Sequence, residues 1–191
     1  MSVARLSLPQ SPAITKVKIR QLWSRMRRVL RFNSGVYLEL RDDETATGQS
    51  IATLFMASLG YAIGYSLLFL PFEPYILVVS ITARLILSLS AGLVWALVAF
   101  FLGTKLFKGS AKFWQVARPL FFSVTPGIFF VLMGISVEQV YRPVAAIVAT
   151  WIVVGGVVAL KNSMGFSYNR SMLIYIVGFL GFIVLGGFSR Q

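Results

Sequence analysis

The sequence predicts an all-α polytopic membrane protein, five transmembrane helices preceded by an N-terminal amphipathic interfacial helix. Three observations predict it. Five apolar runs of about 18 to 20 residues are each long enough to cross roughly 30 Å of hydrocarbon as a helix. None of them contains Asp, Glu, Lys or Arg. The 18 Lys and Arg, against 6 Asp and Glu, are gathered into a few segments between the runs.

The chain divides into a polar tail over residues 1–15, a basic segment over 16–46 and a membrane domain over 47–189. From Ile19 to Phe32 the pattern is helical with two faces. At 100° per residue, Ile19, Leu22, Trp23, Met26, Val29 and Leu30 share roughly a 120° arc, and Arg20, Arg25, Arg27, Arg28 and Arg31 lie opposite. Such a helix suits the membrane interface, where Trp23 and these five arginines would meet anionic lipid or an acidic partner. Asn33-Ser34-Gly35 breaks the helix, and a short turn over Val36 to Leu40 follows. Asp42, Asp43 and Glu44 then precede the first span, where they suit the positive end of its dipole.

The runs are Ile51 to Leu70, Leu85 to Leu102, Pro119 to Val137, Pro143 to Leu160 and Ser171 to Ser189. In the first, Gly60 and Gly64 form a Gly-x-x-x-Gly spacing that admits a neighbouring backbone, more readily another span of this chain than a second copy. Ahead of the second, Pro74 to Thr104 is apolar apart from Arg84, and as one helix it would measure about 46 Å, longer than hydrocarbon is thick. Either residues 74–83 form a separate interfacial or re-entrant helix, or a long helix projects beyond the bilayer with Arg84 snorkelling or paired. The loop from Gly103 to Arg118 carries Trp114 and an interfacial turn over Lys112 to Ala117. In the third run, Thr125-Pro126-Gly127 predicts a kink, because Pro126 removes a backbone hydrogen bond and Gly127 relaxes the turn. Glycine pairs in the last two runs continue the theme of close packing.

Charge sets the expected orientation. The N-terminal segment holds nine Lys and Arg, the second loop four and the fourth loop two, while Arg84, Arg142 and Arg190 fall on the other side. Fifteen against three puts the N-terminus in the cytoplasm and the C-terminus outside. The chain has no His and no Cys, and all its acids lie outside the apolar runs. That argues against thiol chemistry, histidine-based catalysis and the usual zinc sites, so no enzyme and no cofactor is expected. A basic face at a bilayer meets anionic lipid before nucleic acid, so lipid and other membrane proteins are the expected partners and nucleic acid is not.

Several short strings resemble the Yip-domain family of Ypt/Rab-interacting five-span membrane proteins, especially its prokaryotic branch. They are Val36-Tyr37-Leu38-Glu39 with Thr45-Ala46-Thr47, Gly103-Thr104-Lys105-Leu106-Phe107-Lys108-Gly109, Thr125-Pro126-Gly127, Trp151 with Val158-Ala159-Leu160-Lys161, and Phe166-Ser167-Tyr168-Asn169-Arg170. The resemblance implies a small helical protein without cofactor or reaction that organises membrane or partner proteins, in the plasma membrane of a prokaryote. Two other readings stand beside it: an accessory subunit of a large respiratory, photosynthetic or transport complex, and a small transporter or channel.

Overall fold

The computed structural model describes residues 12–69, 73–135 and 138–187, with side chains over 18–68, 73–134 and 139–178. Among the described residues every regular element is helical. The tail over residues 1–11, the side chain of Glu138 and the end of the fifth run lie outside them.

Helix α1 (Pro12–Leu30) begins within the predicted tail and stops earlier than the predicted Phe32. Its stop is a Schellman-type turn. Phe32 N–H donates to the Val29 carbonyl (2.9 Å) and Asn33 N–H to the Arg28 carbonyl (3.1 Å), with Phe32 held in the left-handed region at φ 52°. A non-glycine residue is strained there. The Phe32 ring finds compensation against Trp151, 6.4 Å away between centroids. Helix α2 (Ser34–Asp42) then returns toward the first span and buries Val36, Tyr37 and Leu40 completely. A single 3-10 turn, Glu44–Ala46, leads into α3 (Thr47–Phe69), with Asp43 accepting from Thr45 N–H at its start (2.9 Å).

Helix α4 (Pro74–Phe101) is continuous, which sets aside a separate re-entrant piece over 74–83. It runs on through a π-helical turn, Leu102–Leu106, closed by Phe107 N–H on the Leu102 carbonyl (3.2 Å). Helix α5 (Phe113–Ser123) absorbs the predicted interfacial turn and carries Arg118 inside it, so Arg118 is not a loop cation. After Val124 the chain continues as an 11-residue 3-10 segment, Thr125–Ile135. The break at Thr125-Pro126-Gly127 is thus a change of helix type. Helix α6 (Glu138–Met164) ends at Gly165, φ +69°, and α7 (Tyr168–Gly187) follows.

Among the described residues, four helical stretches are long and apolar enough to cross a membrane: Glu44–Leu68, Pro74–Leu106, Phe113–Gly134 and Gln139–Met164. The described residues are therefore all-helical in their regular structure, with the character of an integral membrane protein. At 1.5 Å per residue the 33-residue stretch is about 50 Å long, so it must tilt or project beyond the hydrocarbon.

The 3-10 segment lies along α3, and glycine makes that approach possible. A Cβ on Gly60 would stand 2.7 Å from the Ile128 carbonyl oxygen and 2.9 Å from that of Gly127; one on Gly64 would collide with the Phe130 carbonyl. Both glycines of the Gly-x-x-x-Gly pair are thus spent inside this chain. The 3-10 form suits the groove, because it is thinner than an α-helix and splays its carbonyls outward. The end of the bundle near α2, α5 and α6 forms the apolar core, where Tyr37, Phe121, Phe122 and Leu160 are buried.

Candidate functional site

Three basic segments that are distant in sequence meet at one end of the bundle. Phe107 and Phe166 bring the loop after α4 against the loop after α6, with ring centroids 6.2 Å apart. Gly103 receives the Met164 side chain. Arg41 Nη1 donates to the Asn162 carbonyl (3.4 Å), joining α2 to the same end. The segments grouped by charge counting therefore share one pole.

At that pole the hairpin of α1 and α2 is fastened by Arg25. Its Nε donates to Glu39 Oε1 (2.9 Å) and its Nη1 to Gln49 Oε1 (2.7 Å), while Nη2 pairs with Asp43 Oδ2. Only 2% of Arg25 is exposed. Arg28 Nη1 takes the second oxygen of Glu39 (2.6 Å). Burial alone would raise the Glu39 and Asp43 carboxyls. The arginine hydrogen bonds on Glu39, and those of Thr45 and Arg25 on Asp43, overcome it and hold both below the ordinary carboxylate range. Asp42 is held low chiefly by Arg41, which donates twice to it at 2.8 and 2.9 Å. Beyond their place near the α3 dipole, these acids are the counter-ions of the hairpin.

Arg25 thus does not share the outward face with the other arginines. Helix α1 is turned about 50° from the orientation its apolar arc suggests, at 100° per residue. Leu22, Arg25, Met26 and Val29 face the bundle. Ile19 and Trp23 face outward beside Arg20, Arg27 and Arg31, and Trp23 is 53% exposed. The cost of that rotation is offset by the three hydrogen bonds of Arg25, each charge-assisted. The far end of the hairpin reaches the middle of α6, where Trp151 Nε1 donates to the Leu30 carbonyl (3.1 Å).

No protein-family model, curated protein or solved structure matches this chain.

The helix break forms the second candidate region. Pro126 offers no N–H to the Phe122 carbonyl, and the Thr125 hydroxyl donates there instead (2.5 Å). Ser123 Oγ likewise donates to the Leu120 carbonyl (2.7 Å). The backbone change is therefore satisfied internally, as membrane depth requires. Beside it lies a cavity of about 410 Å³ between α3, α4, the 3-10 segment, α6 and α7, with Gly127 and Val124 in its wall. Tyr61, Trp95 and Tyr175 supply aromatic walls, with the Trp95 and Tyr175 rings edge-on at 4.9 Å.

Hydroxyl pairs stitch α3 to α4. Ser88 donates to Ser58 (3.0 Å), and Ser66 and Ser80 share a bond of 2.9 Å. Each pair is eight residues from the other on both helices and in opposite directions, as antiparallel neighbours demand. Arg84 joins the second pair: its Nε donates to Ser80 Oγ (3.2 Å) and its guanidinium stands 5.8 Å from the Tyr65 ring centre. The side chain points back toward the start of α4, the snorkelling direction. Among the described side chains no carboxylate pairs with it.

Sequence reasoning passed over Arg118 and Tyr37. Arg118 is 3% exposed; its Nε donates to the Trp114 carbonyl (2.9 Å), and its Nη1, like the Tyr37 hydroxyl, is buried with no hydrogen-bond partner among the described residues. Neither has a spacing signal, because burial of α2 and α5 depends on α6 lying across both.

Proposed function

We propose that this chain is a five-span integral membrane protein without reaction chemistry of its own, which organises the membrane or membrane-bound partners through its N-terminal hairpin. One observation carries the reading. The hairpin is fastened to the bundle by Arg25, while Arg20, Arg27 and Arg31 are exposed on the outward face beside Trp23 and Ile19; Arg27 and Arg31, on the stretch of α1 that leads toward Trp151, reach back along the helix to the pole by snorkelling. Cations beside an exposed indole are what a helix needs at an anionic headgroup layer, and each cation adds on the order of 1 kcal/mol there. The position of the basic segments at one pole supports a cytoplasmic N-terminus. Helix α7, 20 residues long, supplies the fifth span and brings the C-terminus outside. The strings that resemble Yip-domain proteins agree with a role of this kind.

Trp23 emission tests the reading, with Trp95 and Trp114 replaced by Phe, Trp151 kept because it holds Leu30 and its emission subtracted with a Trp23→Phe variant, and the protein held in nanodiscs. Emission shifts to the blue when anionic lipid replaces neutral lipid, and the shift is lost in the triple variant R20E/R27E/R31E, which leaves Arg25 in place. Equal emission in the two lipids would remove lipid as the target of this face.

A further inference from the structure

The cavity beside the helix break has the features of a binding site for a hydrocarbon chain. Its wall combines the middle of α3 at Ser58, the middle of α4 at Ser88 and the middle of α6 at Ile152. It therefore sits near half-depth in the bundle, where the surrounding medium is lipid tail. Leu87, part of the same wall, is 68% exposed on the outer side of α4, so the cavity borders the lipid-facing surface.

The lining also defines the chemistry. Ser58 and Ser88 turn their hydroxyls toward each other, and among the described residues no charged side chain lines the cavity. A ligand with a polar or charged group at this depth would lose its hydration with little in return. An alkyl chain loses nothing and gains dispersion contacts with aromatic rings and aliphatic side chains. About 410 Å³ lies within the usual range for ligand cavities, roughly 300–1,000 Å³. Small residues at Ala57, Ala91 and Gly92 keep the space open.

We propose that this cavity takes one linear alkyl chain from the surrounding bilayer, entering beside Leu87. The seat is independent of the N-terminal hairpin and does not rest on the function proposed for it. The bound chain would come from a phospholipid or from a free fatty acid, which share this chemistry.

Photo-crosslinking of the full chain in nanodiscs tests the proposal and separates the two sources. One arm uses a phosphatidylcholine with a diazirine near the middle of one acyl chain, the other a diazirine fatty acid, each with its unlabelled counterpart as competitor. Labelling at Tyr61, Trp95 or Tyr175 that saturates and is competed is the expected result, and the arm that shows it identifies the source. Ala91→Phe, which fills the cavity, abolishes that labelling and leaves Ile86 and Leu97 labelled on the lipid-facing side. Ala91→Leu, a milder filling, lowers it in a variant whose circular dichroism matches the parent. Cavity labelling that fails to saturate in both arms, or that survives in both folded variants, overturns the proposal.

Discussion

Arg25 uses all three of its nitrogens on side chains from beyond its own helix, two carboxylates and one amide. That makes it unlike Arg20, Arg27 and Arg31, which a count of charges treats as its equals. Replacing Arg25 with Ala leaves Glu39 and Asp43 close together without their common cation. We expect a loss of about 2 kcal/mol, less than for a fully buried pair because both carboxylates keep some contact with water. Thermal unfolding in detergent measures it, and Arg27→Ala should leave the midpoint where it was. That this segment is a helix was legible in the sequence, but the face it buries was not. Periodicity gives the position of side chains around the axis; the angle at which the helix docks was decided by acids at residues 39 and 43 and by Trp151.

At the scale of elements, four of the five apolar runs were legible as helices that can span, because length and lack of charge are sufficient signals. The fifth run corresponds to α7, whose end lies beyond the described side chains. The break at Pro126 was legible too, since proline removes a hydrogen bond wherever it falls. The 3-10 continuation was not, because it depends on a groove supplied by Gly60 and Gly64, some 60 residues earlier in the chain. Gly64→Ala drives a methyl group into the Phe130 carbonyl and should cost at least about 1–3 kcal/mol. Gly48→Ala, with nothing within 4 Å of the added atom, is the matched control and should be silent or slightly stabilising in the same melt. Thr125→Val keeps the shape of the break and removes the donor to the Phe122 carbonyl. A loss of about 1–2 kcal/mol is expected, read from the denaturant midpoint. The cavity had no sequence signature, since its wall is assembled from five elements. The Ser58–Ser88 and Ser66–Ser80 pairs did leave one, in matched spacings along α3 and α4, although Ser80 precedes the apolar run that begins at Leu85.

For the whole molecule, the basic segments at one pole make the hairpin sensitive to acid. The Glu39 and Asp43 carboxyls titrate below their ordinary values, so their contribution to holding α1 in place is complete above about pH 4. It is lost as the pH falls through the lower, folded-state values. Protonation then leaves Arg25 and Arg28 facing each other without counter-charge, in a chain of formal charge +12 at neutral pH. Hydrogen exchange of the α1 amides, measured at each pH against those of the spans and corrected for the intrinsic pH dependence of exchange, should show α1 opening below about pH 4 while the spans stay protected. Opening that began near neutrality would mean that groups other than these carboxylates hold the hairpin.

The hairpin's contacts also prescribe an order of events during synthesis. Arg25 finds its partners within 24 residues, so these short loops can close as soon as the start of α3 has left the ribosome. The Leu30 carbonyl must wait 121 residues for Trp151, and Tyr37 waits almost as long for the backbone notch at Gly155. A nascent chain therefore carries a charge-locked hairpin whose apolar side is covered only as α5 and then α6 are inserted, and late spans seal the first segment made.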